Sequence, residues 1–136
     1  MLIKEFISET NKNQMISILL KHYKVQSVKV KTKSIKDHAH FNVDYGTLEL
    51  STKYKIIKSS QVKDFLITII HEIRHAMDAK KYGWKKFKDM YEWEMNYQVS
   101  HGKDEYKDNK YEIEAEQFGL KNWQKWYKTF KKQDLI

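Results

Sequence analysis

The stretch that decides the fold of this 136-residue chain runs from Phe65 to His75 and reads FLITIIHEIRH. Apolar residues recur at helical spacing around it, and they predict a long helix over residues 60–82 that ends near Gly83. His71, Glu72 and His75 form a His-Glu-x-x-His motif inside this helix. Such polar residues need a strong reason to lie in so apolar a segment, so we interpret the motif as a functional site rather than a pair of surface histidines.

The spacing of the motif suits a metal ion. Residues four apart lie one turn apart on the same helix face, so the imidazoles of His71 and His75 can reach one metal. Neutral imidazole nitrogens suit Zn²⁺. Glu72 follows the first histidine directly, which places it beside the metal, where it can take a proton from a water bound there.

A catalytic zinc needs a third protein ligand, and the last predicted helix offers Glu112. Ala115 and Gly119 share its helix face, and their small size would let this helix approach the first one closely. Glu116, one turn beyond Glu112, could accept the free N–H of a ligand histidine.

Two other third ligands remain open from the residues alone. His101 follows His75 by 26 residues and lies in a Ser-His-Gly loop sequence. His38 and His40 point the same way if residues 39–45 form a strand.

The remaining pattern predicts an α+β domain that spans residues 1–136. An N-terminal helix and a three-stranded, mostly antiparallel sheet precede the motif helix, and further helices follow it. The predicted elements are a helix over 3–23 with a break near Thr10-Asn11, strands over 25–33, 39–45 and 47–54, a helix over 85–98, a loop over 100–109 and a helix over 110–131.

Composition excludes several classes of protein. The hydrophobic fraction of 40% is enough for a core, and the absence of cysteine excludes disulfides, thiol nucleophiles and Cys-ligated zinc. No apolar run is long enough to span a membrane, and the N-terminus lacks the apolar region of a signal peptide, so we expect a cytoplasmic protein. The lysine-rich, arginine-poor composition suggests an AT-rich genome such as that of a phage or virus, whose host cell would then be the compartment.

The net charge of +8 does not by itself indicate a nucleic-acid reader. Its lysines are scattered along the chain, and Arg74 is the only arginine. We therefore expect no sequence-specific nucleic-acid partner and no membrane partner.

HEIRHAMD at residues 71–78, followed by YEIEAEQFG at 111–119, resembles the gluzincin branch of zinc metallopeptidases. The similarity is greatest to the small members, namely minigluzincins, ImmA/IrrE-like proteins and short phage-type peptidases. The resemblance implies a zincin-like fold, one zinc per chain held by His71, His75 and Glu112, and Glu72 as general base in hydrolysis of a protein or peptide. It also implies that the hairpin over 39–51 holds substrate backbone by strand addition.

Supporting residues complete this hypothesis. Glu116 and Asp78 are expected to support the ligands from the second layer, and Tyr111, Tyr106 and His101 are candidates to stabilise the oxyanion.

Two alternatives stay open. The motif with a downstream His-Gly also resembles the Spartan/SprT-like proteases that act on DNA-bound proteins, in which case His101 would be the third ligand. The second alternative is a protein that holds zinc and binds a partner without catalysing a reaction.

Overall fold

The computed structural model describes residues 5–136, and the predicted α+β class is confirmed. Four helices and five short strands occur in this range. The helices are α1 (Glu9–His22), α2 (Val62–Tyr82), α3 (Trp84–Ser100) and α4 (Lys110–Lys132), and the strands are β1 (Phe6–Ile7), β2 (Lys29–Lys33), β3 (Ala39–Asn42), β4 (Thr47–Ser51) and β5 (Ile57–Lys58).

The predicted three-stranded sheet is present, with strand order β2-β4-β3. The β3–β4 hairpin is antiparallel, with Phe41 opposite Leu48, whereas β2 pairs with β4 in parallel. A separate pair, β1 with β5, is antiparallel. Because β4 is central, β3 lies at an edge of the sheet, and this edge faces the motif helix α2.

Helix α2 is the centre of the core. Its apolar stripe, which includes Leu66, Ile69 and Ile73, is fully buried between the sheet and the other helices. The helix ends within two residues of its predicted bounds at both ends, and Gly83 follows it with a positive φ of 90°. In the described range, no helix combines the length and the apolar character needed to cross a bilayer.

Helices α2 and α4 approach each other as closely as the small residues predict. Ala115 is fully buried, and a Cβ atom on Gly119 would lie only 2.8 Å from the backbone oxygen of Ile67. Glycine at 119 therefore allows a contact that brings Glu112, two turns earlier, to the motif face of α2.

The N-terminal prediction is wrong at its start. Residues 3 and 4 of the predicted helix lie outside the described range. Phe6–Ile7 forms a strand that pairs with β5 and is not helical. Helix α1 begins at Glu9, where the Ser8 side chain accepts the Asn11 N–H at 3.1 Å. It continues through Thr10-Asn11 without a break.

The predicted strands are longer than the observed ones. The 39–45 strand ends at Asn42, because the Asn42 side chain accepts the N–H of Asp44 at 3.1 Å and turns the chain. The 47–54 strand ends at Ser51 and continues as a 3₁₀ turn, and the 25–33 strand begins only at Lys29.

Candidate metal centre

His71, His75 and Glu112 come together between α2 and α4. The Nε2 atoms of both histidines lie 2.8 Å from Oε1 of Glu112, and all three side chains are buried. Among the described residues these three form a group that could hold a metal ion, with ligand atoms within 4.8 Å of one another. The fold therefore brings together the three residues that the gluzincin resemblance implies as ligands.

The N-terminus of α4 is held in place by two side chains. Asn109, which is fully buried, caps the helix by accepting the Tyr111 N–H at 2.9 Å. Glu94 of α3, also buried, accepts the Lys110 N–H at 2.7 Å. Because Glu112 lies in this first turn, the two contacts fix the direction from which it enters the site.

Tyr91 is a site residue that the sequence analysis missed. Its hydroxyl donates a hydrogen bond to Oε2 of Glu112, the oxygen that does not contact the histidines. Burial, together with the Glu112 charge, raises the pKa of Tyr91, which keeps the hydroxyl protonated as a donor. Phe87, Tyr91 and Glu94 recur at i, i+4 and i+7 on one face of α3, but this spacing does not indicate that the face contacts α4.

Glu116 makes the contact expected of it. Its Oε2 lies 2.9 Å from Nδ1 of His71, on the side of the ring opposite Glu112. A neutral imidazole has one N–H. When Nδ1 donates it to Glu116, Nε2 of His71 presents a lone pair.

The lone pair on Nε2 of His71 indicates that these residues suit a bound cation. Nε2 of a neutral His71 and Oε1 of Glu112 are both acceptors, and they face each other at 2.8 Å. Two acceptors at this distance require either a second proton on the imidazole or a cation bound by both.

In the metal-free site, bound protons balance the negative charge of the carboxylates. Burial works against a charged His71, but the carboxylates of Glu112, Glu72 and Glu116 outweigh it and raise the pKa of His71 to about 9. Although burial opposes the charge of Glu112 too, its hydrogen bonds to both histidines hold its pKa far below the ordinary range. Burial raises the pKa of Glu72 to about 7 despite the two histidines.

Two cavities meet at this group. One of about 620 Å³ contains His71, and one of about 430 Å³ contains His75 and Glu112. Four residues line both: Asp37, Ala39, Glu72 and Tyr106. The group of His71, His75 and Glu112 thus lies at the junction of the two cavities, and Glu72 lines each of them.

Tyr106, from the loop between α3 and α4, is the oxyanion candidate that lies at the junction. Burial, with the charges of Glu112 and Glu72, raises its pKa, so its hydroxyl stays protonated. Tyr111 lies elsewhere: its ring is buried against Ala79 and Phe87 and stacks on Tyr91 at 6.2 Å.

His101 is exposed at the C-terminus of α3. Its Nδ1 lies 2.8 Å from the backbone oxygen of Tyr97, and its ring packs on the Tyr97 ring. His38, before the hairpin, contacts the Tyr54 hydroxyl, and His40, within β3, contacts Glu49. Neither joins the three-residue group, although each lines one of the two cavities.

Asp78 is buried but does not contact a ligand histidine. Its Oδ1 lies 3.5 Å from Nε of Arg74, whereas its Oδ2 and Nδ1 of His75 both have no hydrogen-bond partner. Asp78 therefore does not support His75 through a hydrogen bond, in contrast to the prediction.

Comparison of this chain with protein-family models, with curated proteins and with solved structures found no match.

Proposed function

We propose that this protein is a zinc-dependent metallopeptidase of the gluzincin type, with His71, His75 and Glu112 as ligands and Glu72 as general base. The observation that carries the proposal is the position of Glu72. It is buried, adjoins the three-residue ligand group and lines both cavities that meet there. Two imidazoles and one carboxylate are a donor set that suits Zn²⁺ and leaves a position open for substrate.

The chain's own residues supply the proton transfers. When bound, zinc acts as a Lewis acid that polarises the scissile carbonyl and acidifies the attacking water. Glu72 accepts the proton of that water and passes it to the leaving amine.

Tyr106 is the residue that we assign to the developing oxyanion. Its protonated hydroxyl lies beside both cavities near Glu72 and Glu112, and its half-exposed ring can adjust when substrate enters. Tyr91 donates its hydroxyl hydrogen bond to Glu112 and serves to orient that side chain.

The edge of β3 is suited to hold substrate backbone. His38 accepts the Ser51 N–H at 2.9 Å, so its carbonyl points toward β4. Because antiparallel strands alternate, the main-chain groups of Ala39 and Phe41 then point to the open edge. Both residues line the cavities, so an extended peptide there would pass the ligand group.

The decisive experiment compares zinc content and casein cleavage in wild type, Glu72→Gln and the exposed-loop control Glu105→Gln. Glu72 is not a ligand, so we expect Glu72→Gln to keep its zinc and fold. Its cleavage rate should fall by at least about 10²–10⁴-fold, since the amide cannot accept the proton. Undiminished cleavage in Glu72→Gln would refute the mechanism. A zinc-loaded wild type that cleaves nothing across a broad protein panel would favour a non-catalytic binding protein.

A further inference from the structure

We infer that the outer edge of β2 binds an extended acidic segment of a partner protein by strand addition. This edge lies on the opposite side of the three-stranded sheet from β3, and the inference does not depend on the proposed peptidase activity. Three features carry it: a strand whose main chain is paired on one side only, a groove beside that strand, and lysines on its other face.

The main chain of β2 is open along its outer side. The strand pairs with β4 in parallel from Lys29 to Lys33, and within residues 5–136 its backbone groups have no other hydrogen-bond partner. Successive residues of a parallel strand point their N–H and C=O groups to opposite sides, so part of this row points away from β4. Such a row is a template on which another extended chain can pair.

A groove of about 350 Å³ lies beside this edge, between α1 and β2. Its apolar lining has five members: Ile16, Leu20, Val28, Val30 and Leu50. No aspartate or glutamate lines it among the described residues. Val28, Val30 and Thr32 are alternate positions, so one face of the strand points into the groove. A strand added beside β2 would place every second side chain over the groove, and apolar side chains suit that position.

The other face of β2 carries positive charge. Lys29, Lys31 and Lys33 alternate there, and all three are exposed. Lys33 pairs with Glu49 of β4 at 3.4 Å, and Glu49 also contacts His40. Lys29 and Lys31, by contrast, have no ion-pair partner in the part of the chain that the structure describes. Their ammonium groups therefore complement acidic side chains at the alternate positions of an added strand that do not face the groove.

The same charges disfavour a second copy of this chain as the occupant. Pairing two β2 edges into one continuous sheet would place the lysines of both copies on one face, where like charges opposite each other are destabilising. Lysines on an edge strand discourage such self-association, and the net charge of +8 acts in the same direction. The occupant is therefore a segment of another protein, in which apolar and acidic residues alternate.

The charge requirement is tested by fluorescence anisotropy on the full zinc-loaded chain with Glu72→Gln, so that no peptide is consumed. Labelled peptides with Gly/Ser ends carry Glu-Val, Gln-Val or Lys-Val repeated three times. We expect the acidic peptide to bind at least about threefold tighter than the Gln-Val peptide, since each exposed ion pair contributes modestly. Lys29→Glu combined with Lys31→Glu should make the Lys-Val peptide the tightest. The control, Lys85→Glu with Lys86→Glu, makes the same charge change at exposed positions of α3 and should leave the order unchanged.

The main-chain pairing is tested with two N-methylated forms of the acidic peptide. Groove-facing and outward-facing residues of a strand point their N–H groups to opposite edges. Methyl groups on the valine nitrogens therefore block one edge, and methyl groups on the glutamate nitrogens block the other. We expect only one form to lose binding, by at least about tenfold, because several main-chain hydrogen bonds are lost together. The form that still binds also reports whether the segment runs parallel or antiparallel to β2.

Several results would overturn the inference. These are no binding of any peptide, equal binding of the three repeats, an order unaffected by the Lys29 and Lys31 changes, and equal effects of the two N-methylations. Dimers of the wild type in analytical ultracentrifugation that the charge reversal at β2 abolishes would assign the edge to a second copy instead. None of these readouts involves cleavage, so their failure leaves the peptidase proposal standing, and a protein that cleaves nothing leaves this inference standing.

Discussion

Glu116 Oε2 lies 2.9 Å from His71 Nδ1, although the two residues are 45 positions apart in the chain. The contact fixes the imidazole tautomer in which Nε2 faces Glu112. We expect Glu116→Ala to weaken zinc affinity by about 10–100-fold while the fold is kept, as is typical when such a partner is removed. Competition with a chromophoric chelator would measure it. Glu114→Ala, on the same helix but outside the site, is the control, and equal affinities in the two variants would remove the role assigned to Glu116.

The ligand assignment predicts one zinc per chain in the wild type and little in His71→Ala or Glu112→Ala. His101→Ala should keep a full zinc, because that side chain is engaged at the end of α3. Affinity should fall as the pH drops through the histidine range, since the ligands must lose their protons to bind. Metal analysis after dialysis at several pH values tests this. Loss of zinc from His101→Ala with retention in Glu112→Ala would favour the Spartan-like alternative.

The metal-free protein should lose stability as the pH rises from about 5 to 9. The folded-state pKa of His71 is raised from 6.5 to about 9. Its contribution to the free energy of unfolding is therefore complete below pH 6.5 and is lost as the pH passes 9. Glu72, raised from 4.5 to about 7 by burial, is destabilising once it ionises and acts in the same direction. Glu112, whose pKa is lowered, stabilises the folded state above pH 4.5, and this stabilisation is lost in acid.

Thermal unfolding in chelator, followed by circular dichroism, checks this pH profile. The melting temperature should be highest near pH 5 and fall toward pH 9, whereas the stabilisation by added zinc should grow over the same range. A metal-free protein that is most stable at pH 9 would contradict the charge arrangement described for the ligand group.

Tyr106→Phe should retain zinc and stability but lose about 10²-fold or more in cleavage rate, because loss of one oxyanion donor typically has that effect. The ring is half exposed, so we expect the fold to tolerate removal of its hydroxyl. Tyr97→Phe, exposed on α3, is a matched control. A rate in Tyr106→Phe equal to that of the control would assign the oxyanion to another group.

The helices that carry the site were predictable because their signal is local. The apolar period of α2 and the small residues Ala115 and Gly119 lie within single segments, so periodicity alone gives the bounds and the contact face. The same holds for Glu112 and Glu116, whose spacing puts them on one face of α4.

Residues whose role depends on distant partners were not predictable in this way. Phe6–Ile7 is a strand only because β5 pairs with it, and two residues carry no period of their own. Tyr91 and Glu94 reach α4 only because the loop over 101–109 returns the chain beside α3. Nothing in the α3 sequence specifies where that loop leads.

The close contact at Gly119 also determines where the chain can change in length. Glu112 and the docking glycine are seven residues apart within one continuous helix, and each residue of an α-helix turns it by about 100°. One residue inserted or deleted between them would therefore rotate Glu112 away from both histidines while Gly119 kept its contact with Ile67. Length changes in the 101–109 loop away from Tyr106 would spare that relation, so insertions compatible with an intact group of His71, His75 and Glu112 belong in the loop and not in the first two turns of α4.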